Sequence, residues 1–339
     1  MTTASVISGT SKRLLWVDAL RGVAICLVVF HHSFIVVPSF STFLTSVDEA
    51  VIALRMPLLF FVSGCMVPGA IRRGIKHYFD SRVRHVLWPY LGWQAQYIVM
   101  VGSLAGLANI VYWGTLSTLW FLFFLLVYYA LAPLYKYFGW FVMALIGLGL
   151  WAVIPAEALP DLLGPYRFTP NQMAFYSFFF YLGAGTFKRI RDYRPSKSEI
   201  LFAGTVVLCC MVLASRGVLK GTFEFLLLGF FGGVAMLIIF ASLPENRTMK
   251  LFAWIGRRSV VLYVLHIPIF IYTKEFVIEA NIPQTPTLWF ASLLATYLIC
   301  FAAGALRYKM PFSILFEMPR SWAPWNWKRD EAKRDLAAA

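Results

Sequence analysis

Charge is scarce in this chain. Asp, Glu, Lys and Arg make up 14% of its 339 residues, where soluble domains carry about 25%. No stretch is both polar enough and long enough for a water-soluble domain, so one membrane domain without an appended soluble unit is expected over almost the whole chain. Acidic residues are scarcer still, 16 against 30 Lys and Arg. The five cysteines, Cys26, Cys65, Cys209, Cys210 and Cys300, sit in apolar runs without metal-ligand spacing; this excludes a metal centre built on them and leaves small packed hydrophobes. No internal repeat is visible, and many secondary transporters are built from one.

What is present is apolar. Hydrophobic residues make up 60% of the chain and aromatics 17%, and the runs predict an all-α, polytopic membrane bundle of about ten helices, each near the ~20 residues that cross the hydrocarbon. The expected spans are Leu15–Val37, Leu44–Val67, Val86–Leu107, Leu119–Tyr135, Gly139–Ile154, Gln172–Phe187, Ile200–Ser215, Phe223–Leu243, Phe252–Thr273 and Leu288–Leu306. The net charge of +14 raises nucleic acid as a partner, but the distribution argues against it. Of the 30 Lys and Arg, twenty-four lie at the N-terminus, in even-numbered connections (Arg257 and Arg258, at the start of the ninth span, counted with the connection before it) and in the C-terminal tail, four lie in odd-numbered connections, and Arg21 and Arg55 lie deeper within spans. That is the positive-inside pattern, and it predicts both termini in the cytoplasm of a multi-pass protein of the plasma (inner) membrane. The basic connections are Arg72 to Arg84, Lys188 to Lys197 and Arg247 to Arg258; opposite them lie the uncharged Pro38–Phe43 and the stretch around Glu157 and Asp161.

Lys12 and Arg13 precede the first span as they would in a signal peptide, but its apolar run is too long, holds Asp18, Arg21 and two histidines, and lacks a small-residue cleavage pattern. The expected division is a cytoplasmic N-terminus over 1–14, a transmembrane domain over 15–308 and a basic tail over 309–339. The tail joins Trp322, Trp325 and Trp327 to Arg320, Lys328, Arg329, Lys333 and Arg334, a composition suited to anionic headgroups. Gly229 and Gly233, four apart, suit generic close packing of helices.

The first span carries the sharpest signal. Arg21 and His32 are eleven positions apart, a step that returns to within roughly 20° of its start, so the two share one helix face about 16 Å apart. Ionisable side chains near the bilayer centre cost at least about 2.5 kcal/mol each on insertion scales, which makes the pair a site hypothesis. With the first helix running outwards, Arg21 lies near the cytoplasmic mouth, where its fork suits a phosphate, and His32 lies in the outer half, where it suits a general base. His31 is rotated by about 100° and falls off that face.

Asp48 and Glu49 open the second span at the depth of His32, where a carboxylate could orient the imidazole. Further in come Arg55 and Pro57, a helix break of the kind tolerated beside a cavity. Arg82 and Arg84, just before Pro89-Tyr90, are within reach of a nucleotide phosphate, and Tyr263 and His266 occupy one stretch of the ninth span.

Together these pieces resemble the acyltransferase-3 superfamily of integral membrane acyltransferases, in particular its sugar O-acetylases and glucan succinyltransferase-like members. The resemblance is carried by Asp18-Ala-Leu-Arg21-Gly22 with His32, by Arg55-Met-Pro through Ser63-Gly64, by Leu119-Trp120-Phe121-Leu122 and by Tyr263 to Pro268. It implies acyl transfer from cytoplasmic acyl-CoA, acetyl-CoA first, to a carbohydrate or glycolipid acceptor at the outer face, without a metal. His32 would be central to catalysis, with Asp48 or Glu49 orienting it and Tyr263 or His266 contacting the oxyanion or acceptor. Arg21, Arg82, Arg84 and Ser63 would hold CoA. The family commonly has paired arginines before its Pro-Tyr helix; here the register reads Arg82-Val83-Arg84-His85, with His85 where the second Arg would fall. A covalent acyl-histidine is the competing mechanism. Two other classes fit the same residues: a proton-coupled transporter using the intramembrane charges, and a catalytically inactive glycan-binding membrane protein.

Overall fold

The computed structural model describes residues 14–38, 41–101, 104–108, 113, 119–155 and 169–322. The tail residues from Trp325 onward, and Glu157 and Asp161, lie outside the described residues. Those described form helices and connections, with no strand among them. The principal helices are α1 Leu15–His32, α2 Thr42–Cys65, α3 Val67–Arg72, α4 Ile75–Arg82, α5 Trp88–Val101, α6 Trp120–Leu131, α7 Trp140–Val153, α8 Pro170–Arg191, α9 Lys197–Ala214, α10 Phe223–Ser242, α11 Arg247–Arg257, α12 Ser259–Glu279 and α13 Pro286–Leu306.

Seven helical stretches among the described residues are long and apolar enough to cross a membrane; they begin at Leu15, Thr42, Trp120, Lys197, Phe223, Ser259 and Pro286. Helices α5, α7 and α8 occupy the other expected span positions; α5 and α7 have 14 residues each, and α8 ends on Lys188, Arg189 and Arg191. The protein is a polytopic helical membrane bundle.

Helix starts follow local chemistry. Ser41, Thr169, Thr222, Asn246 and Thr285 each accept a hydrogen bond from the backbone N–H three residues on, meeting one of the four orphan donors of a helix N-terminus. Ser196 and Glu199 form a reciprocal capping box at α9. The expected ninth span, from Phe252, is corrected at its start: the amphipathic α11 ends at Arg257 and a separate α12 begins at Ser259. Arg258 makes the break. Its guanidinium lies 4.1 Å over the Trp254 ring and its Nε donates to the Gly304 carbonyl, which holds the charge at the bundle's edge. Cys209 is also exposed rather than packed.

Helix α2 is the hub. It is buried almost continuously from Asp48 to Cys65 and packs on α1, α8, α9 and α10. Pro57 cannot donate to the Ala53 carbonyl, and α10 closes over that carbonyl at Gly229, where a Cβ would lie 3.1 Å from the oxygen.

Candidate active site

Two glycine-on-glycine crossings set the position of the functional side chains. A Cβ at Gly22 would fall 2.0 Å from the Phe252 carbonyl oxygen, and one at Gly256 would fall 1.8 Å from that of Asp18, so α1 and α11 touch backbone to backbone. Gly64 and Gly183 do the same for α2 and α8. The first crossing explains the Asp18 to Gly22 motif. Gly22 admits α11, Asp18 Oδ2 then lies 3.7 Å from Arg257, and Arg21 is turned toward α2, where its Nη2 donates to Ser63 Oγ at 3.3 Å.

At the other end of α1, His32 meets His266 of α12. His32 Nδ1 lies 2.9 Å from the Val28 carbonyl oxygen and 3.3 Å from His266 Nε2; His266 Nδ1 lies 2.8 Å from the Leu262 carbonyl oxygen. A carbonyl only accepts, so in neutral rings both Nδ1 atoms carry the proton, an assignment made from their partners. His266 Nε2 then accepts from His32 Nδ1–H, and the lone pair of His32 is on Nε2. His266 is 1% exposed.

Asp48 holds a different histidine from the one expected. Its Oδ2 accepts from His31 Nδ1 at 2.7 Å and its Oδ1 from Arg55 Nη1 at 2.6 Å, so both oxygens are engaged and neither reaches His32. The reason is the rotation between adjacent helical residues: His31 faces α2 at this level while His32 faces α12. Asp48 and Arg55 are 8% and 3% exposed, a buried pair that neither partner could leave without stranding a charge. Glu49 is half-buried beside Asp48 and joins neither pair.

Two cavities flank this array. One, of about 230 Å³, lies at the end of the bundle away from the basic connections and is lined by His31, His32, Arg55, Trp120, Tyr176 and Lys220, among others. The second, of about 130 Å³, lies toward the basic end and is lined by Arg21, Arg82, His85, Arg257 and Arg307. Tyr263 lines both. Its hydroxyl oxygen accepts from Phe121 N–H at 3.2 Å and so caps α6, which places the Leu119 to Leu122 motif between the two spaces. Arg82 packs 4.2 Å over the Tyr129 ring, and the buried Nε atoms of Arg82 and Arg307 have no hydrogen-bond partner among the described residues. An anion fits that inner space: buried guanidinium donors without acceptors call for one.

Arg84 is placed elsewhere. It bonds Glu317 and donates through Nε to the Met318 carbonyl, on the segment that follows α13. His85, in the register of the family's second arginine, is the residue that lines the inner cavity.

Residues 14–305 match the family model described as "Acyltransferase domain" (Acyl_transf_3). The chain belongs to the acyltransferase-3 family. It is 24% identical over 360 residues to "Inner membrane protein YcfT" of Escherichia coli (strain K12), a match covering 91% of this chain and 97% of that protein. No solved structure matches. The protein is therefore an integral membrane acyltransferase.

In this acyltransferase the structure gathers His32, His266 and Tyr263 at one level, joins Arg21 to Ser63 and Arg82 at another, and separates Asp48, Glu49 and Arg84 from both sets. Sequence reasoning missed Lys220, Arg257 and Arg307 as cavity residues. Arg257 and Arg307 look like ordinary positive-inside charge; the one signal for Arg257 is Gly256 beside it, and that needs knowledge of which helix it meets.

Proposed function

We propose that this acyltransferase moves an acetyl group from cytoplasmic acetyl-CoA, across the bundle, to a hydroxyl of a carbohydrate at the outer face of the plasma (inner) membrane. The observation that carries this reading is the pair of cavities that share Tyr263, one lined by four arginines and the other by His32. The donor enters at the basic end, where Arg21, Arg82, Arg257 and Arg307 receive its phosphates. A space of about 130 Å³ admits a phosphate or the thin pantetheine arm and leaves the bulk of the nucleotide outside. The acceptor enters from the opposite end and lays a sugar ring against Trp120 and Tyr176.

His32 Nε2 takes the hydroxyl proton as the oxygen attacks the thioester carbon. The tetrahedral intermediate then collapses, its C–S bond breaks, and the imidazolium returns the proton to the CoA sulfur. While the ring is charged, Nδ1–H stays bonded to the Val28 carbonyl and His266 Nε2, both acceptors, and the imidazolium is held in place.

The test is incorporation of labelled acetyl from acetyl-CoA into the envelope glycan fraction by membranes holding the native chain or His32→Ala at matched expression. A positioned base contributes about 10²- to 10⁴-fold, so the variant should lose roughly that much. Near-native incorporation by the variant would remove His32 from the mechanism.

A further inference from the structure

The outer cavity carries one cation more than its own structure uses. Arg55 is bonded to Asp48, and the second oxygen of Asp48 is taken by His31, so that group is closed on itself. Lys220, on the turn between α9 and α10, lines the same cavity as His32 and has no hydrogen bond or ion pair among the described residues. Glu224, four residues on, is exposed at the first turn of α10 and is not bridged to it. The position is also against the charge pattern of the chain. Only four of the 30 Lys and Arg fall in connections at this end, and one of those four lines the cavity that holds the base. A lone ammonium at the wall of a partly enclosed site attracts an anion.

Building on the acyl-transfer reading, we infer that the outer cavity takes a substrate bearing an anionic group close to the reacting atoms, with Lys220 as its counter-ion. The anion has two chemical sources, a carboxylate or phosphate on an acidic sugar acceptor, or the distal carboxylate of a dicarboxylic acyl group such as succinyl. Gln172, Trp120 and Tyr176, which also line the space, offer neutral contacts to the rest of a sugar ring in either case.

The experiment uses the full chain in nanodiscs, with methyl glucuronoside and methyl glucoside as acidic and neutral sugars that differ at one carbon. Direct binding of each is measured by titration calorimetry to the native protein, Lys220→Met and Lys220→Arg. The native protein should bind the acidic sugar about tenfold more tightly, the scale of one charge-assisted hydrogen bond; Lys220→Met should abolish the preference and Lys220→Arg should keep it. In a second arm, transfer to methyl glucoside is compared between succinyl-CoA and acetyl-CoA. A succinyl preference that falls about tenfold in Lys220→Met assigns the anion to the acyl group instead.

Equal binding of the two sugars by the native protein, with an acyl preference that Lys220→Met does not move, overturns the inference. The acyl-transfer reading fails separately: if no acyl group moves from either thioester but the Lys220-dependent binding preference persists, the anion site stands without it. Transfer to methyl glucoside with no charge preference in either arm has the reverse meaning.

Discussion

At the scale of single residues, the proposed reaction divides one job between two histidines. His32 carries the lone pair, and His266, held by the Leu262 carbonyl, offers an acceptor to the proton on the other side of the His32 ring. Ring centroids 5.0 Å apart keep that contact short. A hydrogen bond that involves a charged partner contributes about 1.5–3 kcal/mol, and each 1.36 kcal/mol is a factor of ten in rate. Removing the acceptor should therefore slow turnover roughly 10- to 100-fold, well short of the loss expected for His32→Ala. Acetyl transfer by His266→Ala and His266→Gln checks this. The glutamine keeps an acceptor oxygen and should recover part of the rate, whereas equal losses in both variants would mean that His266 acts only by filling space. Asp48 illustrates the limit of reading such pairs from depth alone. It sits at the level of His32, as its position in the second span implies, but the adjacent His31 points at it and takes the bond.

At the scale of helices, the bundle is organised by close crossings more than by charge. The hydrophobic runs and the caps at Thr222, Asn246 and Thr285 are legible in the sequence because they depend on residues within four positions of one another. The crossings are not, since Gly22 and Gly256 are distant in the chain and each looks like an ordinary membrane glycine. The pair that does stand out by spacing, Gly229 and Gly233, is the weaker contact: a Cβ at Gly233 would meet its nearest atom at 3.8 Å. Gly256→Ala is then a sharp test. Its methyl would fall 1.8 Å from the Asp18 carbonyl, and since backbone cannot move aside cheaply, α1 and α11 must separate. Overpacking costs about 1–3 kcal/mol or more, so thermal unfolding in detergent should show a clear loss of stability, and Arg21 should lose its bond to Ser63. Gly69→Ala is the control. Nothing lies within 4 Å of its Cβ, and in a helix the change should be neutral or stabilising by up to about 1 kcal/mol. Equal behaviour of the two variants would mean that the crossing does not set the packing.

At the scale of the whole molecule, the segment after α13 closes the basic end. The composition of the tail reads as a headgroup-facing anchor, and Glu317 is inconspicuous among the cations. In the folded chain Glu317 bonds Arg84 and lies 3.2 Å from His85. Around it Trp88 and Trp93 donate to the Ile314 and Leu315 carbonyls, and Met318 N–H donates to the Arg84 carbonyl. More than two hundred positions separate the partners, so nothing local announces the strap. The consequence reaches the inner cavity, because His85 and Arg307 line it and border the strap. The hydrogen bond from His85, with Arg84 beside it, holds the Glu317 carboxyl below the usual carboxylate range. A depressed folded value means that the unfolded state binds the proton more readily. The stabilisation is thus fully present above the ordinary glutamate value of about 4.3 and is lost as pH falls through the lower folded one. Limited proteolysis of the segment beyond residue 306 should show protection at pH 7 and release in acid, and Glu317→Gln should release the segment already at pH 7. The lost charge-assisted bonds amount to about 1–3 kcal/mol, enough to raise the detached fraction from rare to readily cut. A segment equally protected in Glu317→Gln, or protected in the native chain at every pH, would show that the tryptophan and backbone bonds hold the strap without the carboxylate.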